Sequence, residues 1–189
     1  MALRLGHRQS EDFDFFSSKE FDPGSLLNSI SYLDGARVDQ RGDNTLSVMI
    51  MRGDRVKIAF FGSVHMDRIE DPDVIQSNGL QVASLLDLTA TKLKTIQQRA
   101  EAKDYVDLAA ALDAGVGLSK GLAAAKAIYG PVFNPIAALK ALTYFQDGNL
   151  PSLPVHLCDQ LRQAAMAIDL ETLPSLLSRP GICRERQEA

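Results

Sequence analysis

The spacing of apolar residues changes near residue 84 of this chain. Before that point, short runs rich in β-branched and aromatic residues are separated by turn signals. Two of these runs, 45–51 and 55–61, predict strands joined as a hairpin at Arg52-Gly53-Asp54. The apolar residues of 25–33 recur at helical spacing and follow an Asp-Pro-Gly start signal. The first part of the chain therefore predicts an α+β layer, in which a helix packs on a small sheet.

After residue 84 the apolar spacing is helical throughout, with glycine and proline marking the breaks. Asn134-Pro135 is a typical helix start, because asparagine caps free backbone N–H groups and proline fits the first helical position. The predicted helices cover 85–100, 103–114, 121–129, 134–145 and 156–168. We therefore expect an α+β core over 1–84, a helical domain over 85–179 and a flexible, charged tail over 180–189.

Composition narrows the class of protein. The chain has 189 residues, of which 46% are hydrophobic and 23% charged, and its net charge is −4. These values favour a globular fold and argue against a generally basic, nucleic-acid-coating surface. No apolar run reaches membrane-spanning length, and the start of the chain lacks the apolar core of a signal peptide. The two cysteines lie far apart in the sequence, so a reducing cytoplasm and no membrane association are expected.

The first candidate for chemistry is the pair Asp12 and Asp14. In a strand these residues point to one face, while Phe13 and Phe15 point to the other. Two adjacent carboxylates suit Mg²⁺, which proteins often hold through one or two carboxylates together with substrate phosphates. The alternative is an ordinary half-buried strand with a polar outer face.

A second group of charges lies in the first two predicted helices. Lys92 and Arg99 are seven residues apart and share a helix face, and Asp104 and Asp107 are neighbours one turn apart on the next helix. One interpretation is that the two cations face a triphosphate and that one of the aspartates orients them. The alternative is a solvated helix face with ordinary charge pairing.

Together these residues resemble a known family. The segment His7-Arg8-Gln9-Ser10-Glu11-Asp12-Phe13-Asp14-Phe15-Phe16 is similar to the LGHRxSxDxDFF segment of AbiEii/AbiGii-type nucleotidyltransferases. Lys92, Arg99 and Lys103-Asp104-Tyr-Val-Asp107-Leu resemble the later K…R…(R/K)DxxDL motif of that family. Three further parts of the chain resemble the family in order and spacing: the strand pair before Gly79, segment 79–84 and segment 144–147. The resemblance thus covers nearly the whole chain.

This resemblance implies a DNA polymerase β-like nucleotidyltransferase fold: a small mixed sheet with helices on one side, followed by a helical domain. It also implies Mg²⁺-dependent transfer of a nucleoside monophosphate from an NTP to an acceptor hydroxyl. Members act as toxins of toxin–antitoxin or phage-defence systems and some modify transfer RNA, so RNA and an antitoxin protein are the implied partners.

The resemblance also implies roles for individual residues. Asp12 and Asp14 would hold the metal, Ser10 would contact phosphate or position the metal site, and Arg8 would support the loop or contact phosphate. The catalytic set would also contain Lys92 and Asp104. Further nucleotide contacts would come from Arg99, Lys103 and Asp107.

Two departures from the family pattern suggest a second hypothesis. The glycine turn that the family places upstream of the two aspartates is missing, because the chain begins at Met1. The predicted strand 55–61 also lacks the third acid that many polymerase β-like enzymes use; one of its faces carries Lys57 and Ala59 instead. The alternative function is a catalytically inactive binding protein.

Two narrower expectations concern single residues. His7, next to Arg8, is interpreted as a surface or capping residue because no partner for it is visible in the sequence. A Lys92→Ala variant is expected to lose NTP affinity and to keep its fold.

Overall fold

The structure is a computed structural model that describes residues 1–10 and 12–183. Contacts divide the chain into two units. The helical unit contains Met1–His7 and Asp67–Pro180, and the sheet unit contains Arg8–Met66 and begins again at Gly181. The contact boundary thus precedes Asp67, whereas the change of apolar spacing near residue 84 marks the start of the long helices. Residues 184–189 of the expected flexible tail lie outside the described residues.

The sheet unit is built on four strands. They are β1 (Asp12–Phe16), β2 (Arg37–Gly42), β3 (Thr45–Arg52) and β4 (Asp54–Phe61). Their order across the sheet is β1-β4-β3-β2, with β2, β3 and β4 antiparallel and β1 parallel to β4. The sheet is therefore mixed, which confirms the predicted α+β class. The predicted hairpin is also confirmed, since Arg52 and Asp54 pair across Gly53.

One face of this sheet carries the core of the unit. Leu46, Val48 and Ile50 alternate along β3 and are buried together with Ile58 of β4. Apolar residues of α2 (Pro23–Ser29) pack against them. The predicted helix 25–33 is therefore split: α2 ends at Ser29, and a short 3-10 turn follows over Ser31–Leu33.

The two edge strands were the least predictable parts of the sheet. Every residue of β2 is exposed, so β2 has no apolar alternation that sequence analysis could recognise. Its charged residues and its irregular register near Asp39 are typical of a protected sheet edge. On β1, aromatic residues are most simply expected in the sheet core, but Phe13 is 42% exposed and Phe16 is 55% exposed. An edge strand has a neighbour on one side only, which explains this difference.

The helical unit contains six α-helices and a two-stranded hairpin among the described residues. Buried leucines from four of these α-helices contribute to its core, including Leu93, Leu108, Leu122 and Leu161. The predicted helix 85–100 ends at Thr95 because the chain turns there, and the predicted helix 134–145 ends at Ala141. The elements are α1 (Ala2–Leu5), β5 (Asp73–Val74), β6 (Gln81–Val82), α3 (Leu85–Thr95), α4 (Ala102–Asp113), α5 (Leu118–Tyr129), α6 (Pro135–Ala141) and α7 (Val155–Met166).

Within the described residues, no single helix has the length and apolar composition of a membrane span. The segments Ala102–Asp113 and Leu118–Val132 reach that length and apolar composition only when they are taken together, and the chain bends by 119° between them. Both contribute buried residues to the core of the helical unit.

Candidate active site

The two aspartates of the DxD pair lie on one face of the edge strand β1. Asp12 pairs with Lys57 of β4, and Asp14 pairs with Ala59. Because cross-strand partners point to the same face, Lys57 and Ala59 are the β4 residues beside the carboxylates, as the sequence predicted. Both aspartates are exposed. The two side chains can therefore meet a ligand from solvent without the cost of burying an unpaired charge.

The carboxylates fit one kind of metal site and not another. Among the described residues there is no group of three or more His, Cys, Asp and Glu side chains that could hold a metal ion. The described residues alone therefore do not build a metal centre from protein ligands. Two carboxylates do fit Mg²⁺ that arrives with a nucleotide, since this ion keeps waters and takes phosphate oxygens as ligands.

The residues just before the DxD strand make local contacts. The hydroxyl of Ser10 donates to the backbone oxygen of Asp12 at 3.1 Å, and a guanidinium nitrogen of Arg8 donates to the backbone oxygen of Gln9 at 3.1 Å. Both side chains are half-buried. Ser10 therefore shapes the entry to β1.

The charges on α3 and α4 form a compact network inside the helical unit. The ammonium of Lys92 lies 2.6 Å from Oδ1 of Asp104 and 2.7 Å from Oδ2 of Asp107. The two aspartates are one helical turn apart on the same face of α4, and both are fully buried. The alternative of a solvated helix face is therefore wrong for these residues.

Arg99 completes the network from the turn that follows α3. Its Nε donates to Oδ2 of Asp104 at 2.9 Å, and a terminal nitrogen lies 3.3 Å from Oδ1. The other terminal nitrogen lies 3.3 Å from a carboxylate oxygen of Glu101. The Arg99 side chain is 45% exposed and so presents its charge to solvent.

These contacts set the charge state of Asp104. Burial alone would raise the pKa of this carboxyl, but the hydrogen bonds and positive charges of Arg99 and Lys92 outweigh it. The pKa of Asp104 is therefore lowered, and the carboxylate is ionised at neutral pH. Asp104 and Asp107 both face the ammonium of Lys92, which makes Lys92 an oriented hydrogen-bond donor.

His7 is the member of this network that sequence analysis misinterpreted. Its Nε2 lies 2.8 Å from Oδ1 of Asp107, and only 14% of its side chain is exposed. The expectation of a surface or capping residue is therefore wrong. The sequence could not reveal the partner of His7, because Asp107 lies 100 positions away. The only signal was its place next to the polar residues of the first motif.

The N-terminus of α4, which carries both buried aspartates, is held by the segment 145–149. The Asn149 side chain accepts a hydrogen bond from the backbone N–H of Ala102 at 2.7 Å and so caps the helix from a distance. The ring of Phe145 packs edge-on against Tyr105, with centroids 5.9 Å apart. Gly148 has a φ of +54°, and a Cβ there would overlap the carbonyl oxygen of Ala100.

The structure thus brings together five of the chemically interesting residues within the helical unit: His7, Lys92, Arg99, Asp104 and Asp107. Lys103 lies beside this group, and its ammonium is 3.5 Å from Glu101. Arg8, Ser10, Asp12 and Asp14 belong to the sheet unit.

Comparison with known proteins identifies the family of this chain. The family model described as nucleotidyl transferase AbiEii toxin, type IV toxin–antitoxin system, matches residues 1–137. This span includes every candidate site residue. The class is therefore that of nucleotidyl transferases, and the chain belongs to the AbiEii toxin family of type IV toxin–antitoxin systems.

An uncharacterized protein of Aquifex aeolicus (strain VF5) is 33% identical over 110 residues, which are 57% of this chain and 52% of that protein. The chain thus matches about half the length of this curated relative. No solved structure matches the chain.

Proposed function

We propose that this protein transfers a nucleoside monophosphate from an NTP to an acceptor hydroxyl, such as one on RNA, in a Mg²⁺-dependent reaction. Pyrophosphate leaves as the new phosphodiester bond forms. The observation that carries the proposal is the fixing of Lys92 between two buried carboxylates, 2.6 and 2.7 Å from its ammonium. A network that fixes one lysine so firmly, in a family of nucleotidyl transferases, favours a lysine that contacts the triphosphate.

Two residues of the helical unit, Lys92 and Arg99, would contact the phosphates. Two of the three ammonium protons of Lys92 are directed at Asp104 and Asp107, which leaves the third for a phosphate oxygen. Arg99 adds an exposed guanidinium, whose planar fork suits phosphate oxygens. A donor that is already oriented costs little reorganisation when negative charge develops on the transferring group.

Asp12 and Asp14 are the residues that would hold Mg²⁺ with the nucleotide. The bound ion would neutralise phosphate charge and lower the pKa of the attacking hydroxyl. Because both carboxylates are exposed on the edge strand, they can accept a metal that arrives on the triphosphate.

The proposal extends to a biological role as the toxin of a two-component system. The family description implies a cognate antitoxin. A transfer-RNA acceptor and a role in phage defence are further parts of the proposal.

The direct test is label transfer from each of the four NTPs, with Mg²⁺ and total RNA. Wild-type protein is expected to label RNA, whereas Asp12→Asn and Asp14→Asn are expected to abolish labelling. Their stability should stay within about 0.5 kcal/mol of wild type, because both positions are exposed. The matched control is Asp39→Asn, an exposed aspartate on the opposite edge strand, which should label RNA normally. Full labelling by both DxD variants would overturn the mechanism.

A further inference from the structure

We infer that His7 is a positioning residue, which acts through Asp107 to fix the ammonium of Lys92. This inference rests on the proposed function, since it assigns His7 to the same site. Its basis is a chain of two short contacts: 2.8 Å from Nε2 of His7 to Oδ1 of Asp107, and 2.7 Å from Oδ2 of Asp107 to Nζ of Lys92.

Local structure places His7 for this task. The short helix α1 ends at Gly6, whose φ of +61° turns the chain immediately before His7. The other end of the segment is held by Arg4, which donates to the backbone oxygen of Ala83 at 2.7 Å and forms an ion pair with Asp73. The segment that carries His7 to Asp107 is therefore also held in place by the contacts of Arg4.

The arrangement explains why one aspartate alone would not orient Lys92. A single carboxylate leaves an ammonium free to rotate and swing about one contact, whereas two carboxylates on one helix face define where its third proton points. Asp104 is fixed by Arg99, which contacts both of its oxygens. His7 fixes Asp107 in the corresponding way, through the oxygen that does not face Lys92.

The two ring nitrogens of His7 differ in their contacts, so their contributions can be tested separately. Among the described residues, the buried Nδ1 has no hydrogen-bond partner, whereas Nε2 contacts Asp107. Nε2 is therefore the atom of His7 that positions Asp107. A glutamine side chain can place an N–H near the position of Nε2, and an asparagine side chain can place a polar atom only near the position of Nδ1.

The experiment compares His7→Gln, His7→Asn, His7→Ala and Arg4→Gln in the full chain. For each variant, the dissociation constant of each NTP with Mg²⁺ is measured by calorimetry, together with kcat/KM for transfer and the thermal midpoint. We expect His7→Asn and His7→Ala to lose about 10–100-fold in kcat/KM, the scale of a small misplacement of a catalytic group. They should also bind NTP more weakly, and His7→Gln should retain most of both values. Arg4→Gln should lower the thermal midpoint and weaken NTP binding much less than His7→Ala, because the contact of His7 with Asp107 is retained.

Three results would overturn the inference. If all His7 variants equal wild type, His7 positions nothing. If His7→Asn retains activity and His7→Gln loses it, Nδ1 is the working atom. If Arg4→Gln weakens NTP binding as much as His7→Ala, His7 only anchors the segment. A wild-type protein that binds no NTP contradicts the proposed function itself, which is a separate outcome. Should His7→Ala fail to fold, the two amide variants decide the question.

Discussion

At the scale of single residues, the candidate residues include two kinds of aspartate. Asp12 and Asp14 are exposed on an edge strand, whereas Asp104 and Asp107 are fully buried and paired with Lys92. Removing an exposed carboxylate costs little stability, but removing one partner of a buried ion pair leaves a charge without compensation. Substitutions at Asp12 and Asp14 therefore test function with little effect on stability, whereas substitutions in the buried network also change stability.

This distinction changes the expectation for Lys92→Ala. The variant leaves two buried carboxylates beside each other, so we expect a loss of about 3–5 kcal/mol in the free energy of unfolding. Denaturant titration measures the loss. The matched control is Lys94→Ala on the same helix, whose ammonium donates to the backbone oxygen of Val132 and which should cost about 1 kcal/mol. Equal losses for the two variants would contradict the central place of Lys92 in the network.

A pH dependence follows from the lowered pKa of Asp104. In the unfolded chain this carboxyl binds a proton near its ordinary pKa of about 3.8, and in the folded chain it does so only at lower pH. The contribution of Asp104 is thus fully present above about pH 4 and is lost as the pH falls from there through the folded-state pKa. The unfolding free energy of wild type should decrease in this window more steeply than that of Asp104→Asn. Parallel curves would show that Asp104 is not held ionised by its partners.

At the scale of elements, the position of α4 decides whether the network forms. The cap from Asn149, the packing of Phe145 on Tyr105 and the close approach of Gly148 to Ala100 all act on the first turn of this helix. These residues of the 145–149 segment lie beyond the span that matches the family model. Support for the helix that carries Asp104 and Asp107 therefore extends beyond the residues that match the family model.

Gly148→Ala tests this support. The added Cβ would overlap the backbone of Ala100 and force the start of α4 to shift, so both stability and NTP affinity should fall. Gly130→Ala is the matched control, because Gly130 has the same φ of +54° and open space around its Cβ position. That variant should lose stability from backbone strain alone and bind NTP normally. Loss of NTP binding in both variants would remove the specific role of the 145–149 segment.

Most long elements were predictable because their apolar spacing reports directly on burial. The β3–β4 hairpin and the start of α6 at Asn134-Pro135 are confirmed. Strand β2 was missed because an edge strand exposed along its whole length carries no alternation. The end of α3 was placed too late because the turn after Thr95 continues the same spacing of polar and apolar residues.

At the scale of the whole molecule, the chain consists of a sheet unit with the exposed DxD pair and a helical unit with the buried network. The matched family span runs from residue 1 to residue 137 and so includes residues of both units. The relative from Aquifex aeolicus is matched over about half its length. The two groups of candidate residues therefore belong to one family region of the chain.

The sequence by itself determined the α+β class, the strand that carries Asp12 and Asp14, and the membership of the family through its motifs. These follow from spacing between near neighbours, which secondary structure translates directly into a shared face. Only the tertiary structure decided that Lys92 lies between Asp104 and Asp107, that both aspartates are buried, and that His7 contacts Asp107. Such contacts join residues up to 100 positions apart, and their existence depends on how separate helices pack, which no local pattern encodes.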